Sequence, residues 1–182
     1  MKLDHRLIAA TALLLPFFHA TALAGEEESN ETKMARALSA APPSISGEAT
    51  IMDNDGTILR EGSNGWTCLP NTMPGDKAPM CNDAVWMEMM QAVGSQADFT
   101  PTRVGISYML QGDYGAGVSN TTPYHPDHKN AEDYVETGPH MMIIVPKELL
   151  AGVTDDPSTG HPYVMWGDTP YAHIMVPVAD VE

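Results

Sequence analysis

Two segments in the second half of the chain repeat one pattern. His140-Met141-Met142 and His173-Ile174-Met175 each open an apolar run that ends at a proline, Pro146 or Pro177. On a β-strand, residues two apart point to the same face. His140 with Met142, and His173 with Met175, would therefore each present an imidazole beside a thioether, a donor set that suits Cu(I). His125-Pro126-Asp127-His128 adds a second, harder cluster on a polar stretch, better suited to Zn(II) or Cu(II). These six residues are the candidate metal ligands, and copper or zinc the candidate ions. A structural reading competes with this one. Methionine is a flexible core filler, the 13 methionines are spread along the whole chain, and histidines at strand ends or on loops often serve only hydrogen bonds or solvent.

A second set of residues points to different chemistry. Ile51-Met52-Asp53-Asn54-Asp55-Gly56-Thr57 resembles the first motif of haloacid dehalogenase-like phosphatases. The resemblance implies a Mg²⁺-dependent reaction with Asp53 as nucleophile and Asp55 as general acid/base. Ser107, Lys147 and Asp168 follow in a permissive order, without convincing context. That family needs strands alternating with helices around a parallel sheet, and this chain carries few helical patterns. A hairpin turn accounts for the same residues without catalysis, and Gly56 follows Asp53 too closely for an EF-hand loop. The sequence has no G-x-S-x-G, no H-E-x-x-H and no glycine-rich phosphate loop before a helix. No catalytic residue is assigned. A third possibility is a pocket for a small ligand or sugar, because Tyr124, Tyr163, Trp166 and Tyr171 interleave with His125, His161 and His173.

The elements that must position these residues can be read in outline. Lys2 and Arg6, the apolar run from Leu7 to Phe18, and Ala22-Leu23-Ala24 form an export signal with cleavage after Ala24. The run is too short to span about 30 Å of hydrocarbon, and no cysteine at the cut site offers a lipid anchor. Removing Lys2, Arg6 and Asp4 with the signal leaves 7 basic against 23 acidic residues, a net charge of −16. Such a surface repels phosphates, which argues against nucleic acid and anionic lipid, and it attracts cations. Cys68 and Cys81, an even pair in an oxidising compartment, are expected to form a disulfide.

Residues 25–46 read as a leader with a helix over 31–40, stopped by Pro42-Pro43. Residues 49–52 and 57–59 read as a hairpin around Asp53–Gly56. Asp83 looks like the cap of a helix whose apolar face is Val85, Trp86, Met89, Met90 and Val93, stopped by Gly94. Further strands are expected over 104–110 and 141–145, the latter buried on both faces, with one helical turn over 146–150. Residues 163–166 and 173–176 form a closing hairpin. A long polar loop, 112–139, lies between the strands at 104–110 and 141–145. The pattern predicts an α+β fold: a mainly antiparallel sheet with one or two short helices and one disulfide.

The stretches Ala37–Ile45, Arg60–Cys68, Tyr108–Gly112, Gly138–Met142 and Thr169–His173 together resemble a family of exported bacterial proteins of uncharacterised activity. The resemblance implies bacterial export and a single domain, and supplies no mechanism. The expected organisation is a signal peptide over 1–24, the leader over 25–46 and one globular domain over 47–182. The expected function is a periplasmic or extracellular module binding a small ligand or metal ion. A Mg²⁺-dependent phosphatase is the alternative, and a structural or protein-interaction role a third.

Overall fold

A computed structural model describes residues 28–73 and 75–179; the expected signal segment and its cleavage point lie outside them. Ser29 accepts from the Thr32 amide and starts helix α1 (Asn30–Leu38), and Pro42 precedes the single turn α2 (Pro43–Ser46). Ala37, Ala40 and Ala41 are buried against Ala49, Ile51 and the Cys68–Cys81 disulfide, so this part of the expected leader packs onto the sheet. Strands β1 (Thr50–Met52) and β2 (Ile58–Arg60) form the expected hairpin, with Gly56 at φ 87° closing the turn. The next loop, rich in glycine and proline, yields two strands that periodicity did not foresee, β3 (Thr67–Leu69) and β4 (Met80–Asn82). Cys68 stands directly opposite Cys81 in their antiparallel ladder.

Asp83 starts helix α3 (Ala84–Ser95) and seats it. One carboxylate oxygen accepts from the Trp86 amide and the other from the Ile106 amide of β5 (Gly105–Met109), both at 2.8 Å. A Cβ on Gly105 would lie 2.9 Å from Val85 Cγ1, so glycine here lets the helix approach the sheet closely. The helix passes through Gly94 and ends where Gln96 takes the left-handed conformation at φ 54°. Its capping amide bonds stop it, rather than the glycine.

The chain continues through β6 (Val118–Ser119), β7 (Tyr134–Val135), β8 (His140–Ile144), β9 (Tyr163–Met165) and β10 (His173–Pro177). β6 and β7 form a separate antiparallel ribbon, and His128–Asn130 a 3-10 turn, inside the stretch expected to be loop. Strands of two residues are too short to carry a period. The main sheet runs β2-β1-β3-β4-β5-β8-β10-β9, antiparallel except for β1 beside β3. The fold is thus α+β on a mainly antiparallel sheet with one disulfide. β8 departs from its expected burial on both faces. His140, Met142 and Ile144 are buried, while Met141 and Ile143 on the opposite face are half-covered. Among the described residues no helix is long and apolar enough to cross a membrane.

A candidate metal centre in a methionine-walled cavity

The register of three strands decides what surrounds the two His-x-Met pairs. β8 lies between β5 and β10. Met109 of β5 opposes His140, and Met175 of β10 opposes Met142. His173 opposes Met165 of β9. Both pairs therefore lie on one sheet face, as strand periodicity required, and α3 roofs that face with Trp86, Met89 and Met90. A cavity of ≈ 290 Å³ remains between them. Eight of the thirteen methionines line it: Met73, Met80, Met89, Met90, Met109, Met142, Met165 and Met175.

The two histidines are fully buried and share one tautomer. His140 Nδ1 donates to the Gly138 carbonyl at 2.7 Å, and His173 Nδ1 donates to the Tyr171 carbonyl at 2.9 Å. Each Nε2 is left with a lone pair, buried and without a hydrogen-bond partner. A second ring nitrogen tied to a carbonyl is the usual way a protein orients a metal-ligating imidazole. Burial pushes both imidazoles down to about 4, so both are neutral at pH 7. Trp86 and Trp166 stand edge-on to the His173 ring, each with centroids 5.1 Å away. Trp166 is pinned there in the left-handed region, at φ 56°, by donating its indole N–H to the Ser119 carbonyl and its amide to the Asn120 carbonyl.

Asp113 reaches the other end of the cavity. One of its oxygens accepts from the Thr137 amide at 2.5 Å, and the other lies 3.8 Å from His140 Nε2. Burial pushes this carboxyl up to about 7, against the lowering effect of the Thr137 amide. With His140 neutral, the two do not form an ion pair at pH 7.

His125 and His128 do come together, with ring centroids 6.0 Å apart, and His128 lines the cavity. Their hydrogen bonds run the opposite way. His128 Nδ1 accepts from the Ser119 amide and His125 Nδ1 from the Asp127 amide, which puts the proton of each neutral ring on Nε2. They offer N–H groups where His140 and His173 offer lone pairs. Among the described residues, no three His, Cys, Asp or Glu side chains converge on a metal position, so any centre here must be completed by thioethers.

The other candidate residues are dispersed. Asp53 pairs with Lys33, and Asp55 accepts from the Thr57 amide, as turn carboxylates do. Ser107, on β5, is buried and donates to Asn82 of β4, and β3 and β4 separate its strand from β1, about 14 Å at strand spacing. Lys147 lies in the 3-10 turn after β8, and Asp168 between β9 and β10. Of the aromatic group, Trp166 lines the cavity. Tyr124 and Tyr171 bond each other, Tyr163 bonds Thr137, and His161 is exposed. Sequence reasoning missed Met109, Met165, Asp113 and the roof residue Trp86 as parts of the site. Met165 carries a weak signal, since it shares a strand face with Tyr163. Asp113 carries none.

Comparison with known protein families, with curated proteins and with solved structures finds no match. Fold and site together describe an α+β protein, cross-linked by a disulfide, whose sheet and helix α3 enclose two histidines among methionines.

Proposed function

We propose that this is an exported metal-binding protein that takes Cu(I) in the cavity beneath α3. One observation carries the reading: two buried imidazole lone pairs, at His140 and His173, lack hydrogen-bond partners and stand among thioethers. A buried polar atom left unpaired costs about 1–3 kcal/mol, and thioethers are poor hydrogen-bond partners. A soft cation satisfies both donor types at once. The neutral imidazoles also spare the ion competition from protons down to about pH 4. The N-terminal signal and the disulfide fit delivery to an oxidising compartment, and the acidic surface favours a cation.

The test is thermal unfolding of chelator-treated mature protein with Cu(I), Cu(II), Zn(II), Ca(II) or Mg(II). An ion at a hundred times its dissociation constant adds about 2.7 kcal/mol, which raises the midpoint of a domain this size by about 5–10 °C. A rise selective for Cu(I), abolished in His140→Ala/His173→Ala, is the expected result. No rise with Cu(I), or the same rise in the double variant, sinks the proposal.

A second reading, a small apolar organic ligand, draws on the same cavity. Its ≈ 290 Å³ and its flexible methionine walls suit such a guest. Stabilisation by apolar probe molecules without any response to Cu(I) would favour it.

A further inference from the structure

We infer that the cavity holds two Cu(I) ions, one at each histidine, rather than one ion shared between them; this rests on the copper reading above. The residue opposite His140 on β10 is Pro177, four positions beyond His173, which sets the two histidines about 13 Å apart along the strands. Each ring is tied back toward the start of its own strand, His140 to Gly138 and His173 to Tyr171. β8 and β10 run antiparallel, so these two starts lie at opposite ends of the shared ladder. One ion bound to both would need the two Nε2 atoms about 4 Å apart, twice a metal–nitrogen bond of about 2 Å.

Each histidine also has its own thioether. Met109 stands directly opposite His140, and Met165 directly opposite His173, at a spacing where facing side chains touch. The facing pair Met142 and Met175 occupies the middle and serves either end. The ends differ in character. The His140 end adds the Asp113 carboxylate, 3.8 Å from Nε2. The His173 end adds only the edges of Trp86 and Trp166, so it is the softer of the two.

The experiment is a Cu(I) titration of the mature protein against a chromophoric competing chelator, with tryptophan emission followed in parallel. The expected stoichiometry is two ions for the wild type and one for each of His140→Gln and His173→Gln. The emission change should persist in His140→Gln and vanish in His173→Gln, since both indoles sit at His173. Met109→Leu and Met165→Leu, which preserve core volume, should each weaken one ion at least tenfold and leave the other unchanged. A wild type that binds one ion, lost in both histidine variants, overturns the two-centre inference while the copper reading stands. A wild type that binds none overturns both.

Discussion

Burial of two neutral histidines and one carboxyl in the same cavity gives the metal-free protein a pH dependence that can be worked out in advance. Each histidine has its pKa depressed from 6.5 to about 4 on folding, and Asp113 has its own raised from 3.8 to about 7. The signs are opposite. Between about pH 6.5 and 4 the unfolded chain binds one more proton at each histidine, so their contribution is present above pH 6.5 and lost as the pH falls toward 4. In the same range the folded chain binds one more proton at Asp113, whose contribution is present below pH 3.8 and lost as the pH rises through 7. Two protons against one leaves a net uptake of about one proton on unfolding, a slope of about 1 kcal/mol per pH unit near pH 5.3. Asp113→Asn removes the opposing proton and should roughly double the slope, to about 2 kcal/mol per unit. It should also gain about 3 kcal/mol on the wild type between pH 5 and pH 8. His140→Gln removes one of the two and should flatten the slope nearly to zero. The assay is urea unfolding of chelator-treated protein at half-unit steps from pH 8 to 4.5. Comparing variants cancels the carboxylates common to all of them. Equal slopes in the wild type and Asp113→Asn, or an unchanged slope in His140→Gln, would refute the assignment of these groups as buried and neutral.

Other expectations concern the scaffold that holds the cavity. Replacing Cys68 and Cys81 together by alanine should lower stability by about 3 kcal/mol, the loop-closure value for their separation of 13, as measured by denaturant unfolding. The β3–β4 ladder also aligns these residues, so the variant should still fold with the wild-type far-UV circular dichroism. Gly105→Ala should cost about 1–3 kcal/mol, because its Cβ would press on Val85 and Ile144, at 2.9 and 3.1 Å. A stability within 0.5 kcal/mol of wild type, roughly the scatter of neutral surface changes, would show that α3 is not held at this distance. Asp83→Ala loses the α3 cap and the bond to the Ile106 amide. It should destabilise by about 1–2 kcal/mol, and hydrogen exchange should quicken first in the amides of the first turn of α3.

What could be read directly from the chain was local. The Asp53–Gly56 turn, the Asp83 cap and the closing hairpin each rest on residues within one turn or ladder of one another, where backbone sterics and nearby hydrogen bonds decide the outcome. The shared face of His140 with Met142, and of His173 with Met175, followed from the two-residue period of a strand in the same way. The α+β class followed from many strand patterns against few helical ones. The partners of those pairs were settled only by tertiary structure. Met109 and Met165 face the histidines because β8 lies between β5 and β10 and β10 lies beside β9, a choice made by packing whole strands and invisible in any window of sequence. The same holds for the division between His140 and His173, which present lone pairs, and His125 and His128, which present N–H groups. Each tautomer is set by whichever carbonyl or amide the folded backbone brings to Nδ1. Asp113 is the extreme case: an aspartate in a polar, glycine-rich stretch reads as surface, and only the burial of its neighbours makes it part of the cavity.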